Sequence, residues 1–196
     1  MAIEIEAKMR LDQPAEMRER LLALGAQPTG RFQELNTFFD TPDGRLKTSD
    51  QGLRVRVETH DNGDLVTYIT HKGPRAHGQL KNRTECEAVI ENARRAAALI
   101  SALGYHPVVS FEKRRQRYAL DGCQIELDTL PHLGEFIEIE GPDEAAVLDT
   151  RAKLGLADEP IIKASYIAML QDHLRQQGHR EQVIRFPDED LVEAPV

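Results

Sequence analysis

Apolar and charged residues alternate with a period of two through Ile3-Glu4-Ile5-Glu6-Ala7-Lys8-Met9. In an extended strand this places Glu4, Glu6 and Lys8 on one face and the apolar residues on the other. The same alternation recurs at Leu53-Arg54-Val55-Arg56-Val57, Arg83-Thr84-Glu85-Cys86-Glu87, Ile125-Glu126-Leu127-Asp128 and Ile137-Glu138-Ile139-Glu140. Further strands are expected over 34–41, 65–73 and 107–119, with the recurring motifs lying in strands over 2–10, 52–59, 80–90, 123–130 and 135–140. Asp61-Asn62-Gly63-Asp64 and Asp121-Gly122 are hairpin signals, and Pro42-Asp43-Gly44, Gly73-Pro74 and Gly141-Pro142 are strand stops.

Apolar residues at helical spacing predict helices over 14–24, 92–103, 143–154 and 163–176, the first capped by Asp12 and stopped by Gly25. With a short segment near Leu46, the pattern gives about eight strands joined mainly by turns, which favours antiparallel closure into a barrel. The fold class expected is therefore α+β, an eight-stranded antiparallel β-barrel flanked by helices. Its interior would be polar, because the helices need the apolar faces. The competing arrangement is a half-open sheet whose charged face meets bulk water. Against it stand like-charged neighbours such as Arg54 with Arg56 and Glu138 with Glu140, which repel unless groups of opposite sign lie between them.

Composition narrows the function. The 196 residues are 30% charged and 40% hydrophobic, as in ordinary globular proteins, with a net charge of −8. That acidity argues against a nucleic-acid-binding role. Half of it lies in Asp188, Glu189, Asp190 and Glu193, so residues 1–176 are read as one domain and 177–196 as an acidic, flexible tail. No apolar run approaches the roughly 20 residues of a membrane span, and Glu4 and Glu6 stand where a signal peptide is basic and apolar. A cytoplasmic protein with no membrane partner is expected. Cys86 and Cys123 fall on the predicted apolar faces and are expected as buried, reduced thiols. The segment 75–79 is expected as a mobile loop.

On the charged face, the cations Lys8, Arg54, Arg56, Lys72, Arg83, Lys113, Arg115 and Arg117 suit a polyanion. The carboxylates Glu4, Glu6, Asp128, Glu138 and Glu140 suit a hard divalent metal such as Mg²⁺ or Mn²⁺, with Glu85, Glu87 and Glu126 on the same face. A chain of phosphates with its metal ion meets both requirements. The sequence has no phosphate-binding glycine loop, no dinucleotide fingerprint and no zinc-ligand spacing among its seven histidines.

Glu4-Ile5-Glu6-Ala7-Lys8 matches the E-x-E-x-K signature of the CYTH superfamily, the triphosphate tunnel metalloenzymes that include class IV adenylate cyclases and thiamine triphosphatases. The matches that follow in order are Thr37-Phe38-Phe39-Asp40-Thr41-Pro42, Leu53-Arg54-Val55-Arg56, Thr70-His71-Lys72-Gly73-Pro74 and Arg83-Thr84-Glu85-Cys86-Glu87. Glu112-Lys113-Arg114-Arg115, Gly134-Glu135-Phe136-Ile137-Glu138-Ile139-Glu140 and Ser165-Tyr166 complete a resemblance over residues 3–175.

The resemblance implies an eight-stranded tunnel that admits a triphosphate and its metal ions. Carried over by position, Glu4, Glu6, Asp128, Glu138 and Glu140 are metal ligands. Lys8, Arg54, Arg56, Lys72, Arg83, Lys113 and Arg115 bind phosphates, and Lys8 and Glu6 are the catalytic pair. His71, where a tyrosine is common, and Lys163, where an arginine is common, are the departures, and the 75–79 loop with His71 is the candidate holder of a nucleoside. The branch most resembled is the class IV cyclase, which converts ATP to cyclic AMP and pyrophosphate. Hydrolysis of tripolyphosphate, thiamine triphosphate or a nucleoside triphosphate stands as the alternative, and a non-catalytic polyphosphate or nucleotide binder as the third. General symmetry arguments leave room for a homodimer.

Overall fold

The computed structural model describes residues 2–76, 78–178 and 182–187. Eight strands form the barrel: β1(Ala2–Arg10), β2(Gln27–Asp40), β3(Gly52–His60), β4(Leu65–Arg75), β5(Lys81–Ile90), β6(His106–Leu120), β7(Cys123–Leu130) and β8(Gly134–Glu140). Their order is β2-β3-β4-β5-β1-β8-β7-β6, and β6 pairs back onto β2 to close the ring. Every pairing around the ring is antiparallel. Closure is what separates this fold from the half-open alternative: it gives the charged faces one shared interior and turns the apolar faces outward.

The closing seam runs from Gln27↔Ala119 to Asp40↔His106, with irregularities at Pro28/Gly30 and Phe38/Phe39. β2 therefore starts earlier than the expected 34–41. Pro28 and Gly30 make its first half read as a loop, whereas in the barrel they mark a bulge. At the Asp121-Gly122 hairpin both turn residues adopt positive φ, 51° and 78°, the geometry that a two-residue turn between right-twisted strands requires.

Five helices cover the barrel: α1(Pro14–Ala23), α2(Arg45–Thr48), α3(Ala93–Ala102), α4(Glu144–Lys153) and α5(Tyr166–Gln176). Asn92, Asp143 and Ser165 cap α3, α4 and α5 by accepting from the backbone N–H three residues on. The N-cap of α1 is Gln13, not Asp12, with Pro14 opening the helix. The segment near Leu46, expected as a strand, is helix α2. The Asp40 carboxylate accepts from the backbone N–H of Thr41, Leu46 and Lys47 at 2.7, 2.8 and 3.0 Å, which curls the chain back before a strand can form.

The apolar material forms three clusters, two outside the barrel wall and one, built on α5, that closes one end of the interior. Ala7, Met9, Ile125, Ile137 and Ile139 pack against Leu21 of α1 and Val147 of α4. Phe39 and Val55 pack against Ala97 and Ile100 of α3. Tyr166, Leu170 and Leu174 of α5 meet Leu130, Phe136 and Phe111. Among the described residues no helix packs over the outer face of β5 at Cys86, and this thiol is exposed rather than buried, while Cys123 is buried as expected.

The tail expected over 177–196 divides. Within it, β9(Val183–Ile184) pairs in parallel with β6. Ile184 is fully buried in the α5 cluster, Phe186 donates its backbone N–H to Glu112 at 3.0 Å, and the Arg114 guanidinium lies over the Phe186 ring. The acidic stretch 188–196 lies outside the described residues. Among the described residues, no helix is long and apolar enough to cross a membrane.

Burial of Ile184 makes the docking of this segment measurable. Ile184→Ala is expected to lower the unfolding free energy by about 2–4 kcal/mol in urea titration. Val183→Ala, at a residue that is 44% exposed, should shift it by no more than about 0.5 kcal/mol. Equal small effects would show that the segment leaves the barrel in solution.

Candidate active site

Alternation along the eight strands builds the site. Side chains from every barrel strand line one central cavity of about 1030 Å³, among them Glu4, Asn36, Arg54, Lys72, Arg83, Lys113, Glu126 and Glu138. Strand register sets which charges meet. Across β1 and β8, Glu6 faces Glu140 and Lys8 faces Glu138. Across β1 and β5, Glu4 faces Arg83 and Glu6 faces Lys81. Across β6 and β7, Arg115 faces Asp128 and Arg117 faces Glu126.

Arg115 is the hub of this network. It donates through Nε and Nη2 to the two oxygens of Asp128, each at 2.6 Å, and through Nη2 to Glu138 at 2.7 Å. It also contacts Glu126, and its Nε lies 3.6 Å from Glu34. Burial alone would lower its pKa, but Asp128, Glu126 and Glu34 hold it well above the usual arginine value. Lys113 pairs with Glu34 at 3.1 Å and with Asp128 at 3.4 Å. Burial pushes Glu34 upward, and Lys113, Arg115 and Arg56 outweigh it, so the carboxylate stays well below its ordinary range.

Lys8 is 2% exposed and held from three sides. Its Nζ donates to the carbonyl of Ala164 at 3.0 Å, lies 3.3 Å from Glu138, and sits 3.9 Å above the Tyr166 ring. Burial lowers its pKa, with Glu138 and Glu6 opposing the shift. Lys72 bridges Glu4 and Glu85, at 2.7 Å to each. Arg56 reaches Glu87 at 3.2 Å, and Arg54 donates to Asn36 at 3.2 Å. The Nε–H groups of Arg54 and Arg83 are buried and have no hydrogen-bond acceptor among the described residues, while Arg56 Nε lies 3.3 Å from Glu58.

Glu4, Glu6, Lys8, Arg54, Arg56, Lys72, Arg83, Lys113, Arg115, Glu138 and Glu140 thus all reach the cavity wall. Asp128 stands behind the wall, fully buried, bonded to Arg115 and accepting from the Tyr166 hydroxyl at 3.0 Å. Glu126, Asp128 and Glu138 bring carboxylate oxygens within 4.8 Å of one another, which adds Glu126 to the acidic set. Sequence reasoning missed Lys81, although it continues the alternation Arg83-Glu85-Glu87 backwards by one step. It also missed Glu34 and Tyr166, which become visible only with the closing seam and with α5. His71 does not reach the cavity: it lies exposed on the outer face of β4, 3.0 Å from Gln51. Within 75–79, Arg75 donates to Asp50 and to the Lys163 carbonyl, and the Gly78 carbonyl accepts from Lys163 at 2.7 Å; His77 lies outside the described residues.

The acidic groups fit a hard divalent cation. The donors are all carboxylate oxygens, as Mg²⁺ and Mn²⁺ prefer. One oxygen of Glu4 is buried without a partner. Glu140 makes no ion pair or hydrogen bond among the described residues; burial, then Glu126, Glu4 and Glu6, push its pKa up to about 7. Glu4, Glu6, Glu138 and Glu140 line the cavity from the neighbouring strands β1 and β8, and Glu126, Asp128 and Glu138 converge beside them; these are the carboxylates that would hold such an ion.

Comparison with known proteins agrees with this architecture. The CYTH domain family model matches residues 2–166. Adenylate cyclase CyaB of Aeromonas hydrophila is 31% identical over 182 residues, covering 87% of this chain and 90% of that protein. Among solved structures, the PH1819 protein of Pyrococcus horikoshii superposes with a TM-score of 0.73 at 25% identity, covering 86% of this chain and 98% of that one. An adenylyl cyclase candidate from Hippeastrum, described as having a dominant triphosphatase activity, shares the fold with a TM-score of 0.64 at 19% identity, covering 91% and 97%.

The crowding around Glu140 has a pH signature. Its carboxyl has an ordinary pKa of 4.5 when unfolded and about 7 in the fold. Ionising it in the folded protein is therefore unfavourable, and the metal-free protein loses stability from this group as pH rises between those values. Glu140→Gln, melted in the presence of a chelator, should be more stable than wild type by about 1–2 kcal/mol above pH 7, with the gain vanishing below pH 4.5. A gain of the same size at both ends would mean that Glu140 is not the strained carboxyl.

Proposed function

The chain belongs to the CYTH domain family, and on that footing we propose that it is a metal-dependent enzyme that draws ATP into the tunnel and converts it to cyclic AMP and pyrophosphate. The observation that carries the reading is the pair of buried arginine Nε–H donors, on Arg54 and Arg83, that find no acceptor among the described residues. Buried N–H groups without partners are rare, and phosphate oxygens are the acceptors that match guanidinium geometry. Lys72, Lys113 and Arg115 extend the cationic lining across further strands, so a long anion meets several cations at once while a short one cannot. A Mg²⁺ or Mn²⁺ on the carboxylates would neutralise charge on phosphoryl oxygens.

In this reading the residues divide the work by position. Arg54, Arg56, Arg83 and Lys113 hold the phosphate chain, and Arg115 holds both it and the acidic cluster. Lys8, fixed by Ala164, Glu138 and Tyr166, presents a charge that does not need to reorient as charge builds up on phosphoryl oxygen. Glu6 binds at the metal side of the same strand. At the α5 end, the Phe38 and Phe111 rings stack at 5.9 Å with Ile167 packed beside them. Both rings also line the cavity, and this flat apolar surface suits a base, which supports a nucleotide substrate.

The second reading is a triphosphatase acting on tripolyphosphate, thiamine triphosphate or a nucleoside triphosphate. It is favoured by a lining that is cationic along much of its length, since hydrolysis asks only for a bound triphosphate and a positioned water. Product analysis separates the two. With ATP and Mg²⁺ or Mn²⁺, cyclic AMP and pyrophosphate should appear, and 3′-deoxy-ATP should bind without turning over. Release of orthophosphate from 3′-deoxy-ATP or tripolyphosphate at the rate seen with ATP would make the enzyme a triphosphatase.

A further inference from the structure

Lys81 opens β5 directly opposite Glu6, and its Nζ lies 2.5 Å from a Glu6 oxygen. The Lys81 side chain is 9% exposed, and among the described residues Glu6 is the only carboxylate with which it forms an ion pair. Burial would lower the Lys81 pKa, but Glu6, Glu4 and Glu138 together raise it, so the group stays charged. On its other side Glu6 faces Glu140, which has no hydrogen-bond or ion-pair partner among the described residues. Lys72 differs from Lys81 in this respect: it holds Glu4 and Glu85 together, and keeps Glu85 if Glu4 is taken away.

We propose that Lys81 is an internal counter-ion of the metal-binding carboxylates, which occupies Glu6 in the empty tunnel and yields it only when phosphate oxygens arrive to receive the ammonium. The inference rests on the metal-dependent reading above and adds to it a coupling between the two ligands. A divalent cation entering alone competes with Lys81 for the Glu6 carboxylate: it either sits beside the ammonium on the other oxygen or takes the bonded one and leaves a buried ammonium without a partner. Both consequences oppose metal binding. A triphosphate in the tunnel offers Lys81 new acceptors, so displacement from Glu6 then leaves no orphaned charge. Metal and triphosphate therefore each tighten the binding of the other, by the same factor. Lys81 acts here as a positioning residue, and it sets the order in which the site fills.

The test reads metal binding directly, without turnover. Mn²⁺ binding is measured by electron paramagnetic resonance on the full chain, as wild type, Lys81→Met, Lys81→Gln and Lys81→Arg, with and without a non-hydrolysable methylene-bridged ATP analogue. Without nucleotide, Lys81→Met and Lys81→Gln should bind Mn²⁺ more tightly than wild type by about tenfold or more. With the analogue that advantage should shrink or disappear, and Lys81→Arg, which keeps the charge, should follow wild type throughout. A melting temperature taken with each sample verifies folding, and the uncharged variants should gain more from Mn²⁺ than wild type does. Equal Mn²⁺ affinity for wild type and the uncharged variants in the empty tunnel overturns the role of Lys81 and leaves the metal site standing. Absence of Mn²⁺ binding in every form, with or without the analogue, overturns the metal site and the inference together.

Discussion

Arg115 is fully enclosed by the barrel, yet its guanidinium touches carboxylates from β2, β7 and β8 at once. A charge in such a place is tolerated only if several opposite charges reach it with good hydrogen-bond geometry. The rest of the fold follows from meeting that condition. The ring must close, because only closure brings Glu34 on β2 to the same point as Asp128 and Glu138. Away from the α5 end, the apolar residues must turn outward, because the interior is taken by charge. Helices must then cover the outer wall, which α1, α3 and α4 do. Removing one member of the network leaves the others uncompensated, so the tunnel resists piecemeal change far more than a surface of equal charge would.

The network also prepares the tunnel for a ligand. Cations along the wall already have carboxylate partners: Lys72 with Glu4, Lys81 with Glu6, Lys8 with Glu138, Arg56 with Glu87. On the proposed reading, a triphosphate with its metal would replace such pairs by two new sets, cation with phosphate and carboxylate with metal, and so separate groups that hold each other in the empty tunnel. Helix α5 anchors one end of this arrangement through Tyr166, which stacks under Lys8 and donates to Asp128.

The sequence made the strands legible because the alternation of charge and apolar residues runs through β1 and β3 and most of β7 and β8, breaking at Leu130 and Phe136, where the interior meets α5. The identity of the lining residues followed from it, since a period of two leaves only one choice of face. Other features were hidden where a tertiary contact decided the outcome. The Asp40 carboxylate turns 45–48 into a helix, although the segment has no helical pattern of its own. Pro28 and Gly30 disguise the first half of β2 as a loop. Cys86 has the right spacing for burial, but spacing does not say whether a helix lies over that face. The backbone of 182–187 has no period to read, and what orders it is Ile184 entering a cluster built by α5.

The central claim is that the cations of the closed tunnel act together on one long anion. Titration calorimetry of the protein with the adenosine tri-, di- and monophosphate series, in its methylene-bridged non-hydrolysable forms where needed and at fixed Mg²⁺, tests it most directly. The account predicts that each phosphate removed weakens binding by about tenfold or more, about 1.4 kcal/mol per step, because each loss releases a buried cation from its acceptor. Affinities that are equal across the series would contradict it, and would place the anion on a surface patch rather than in the tunnel.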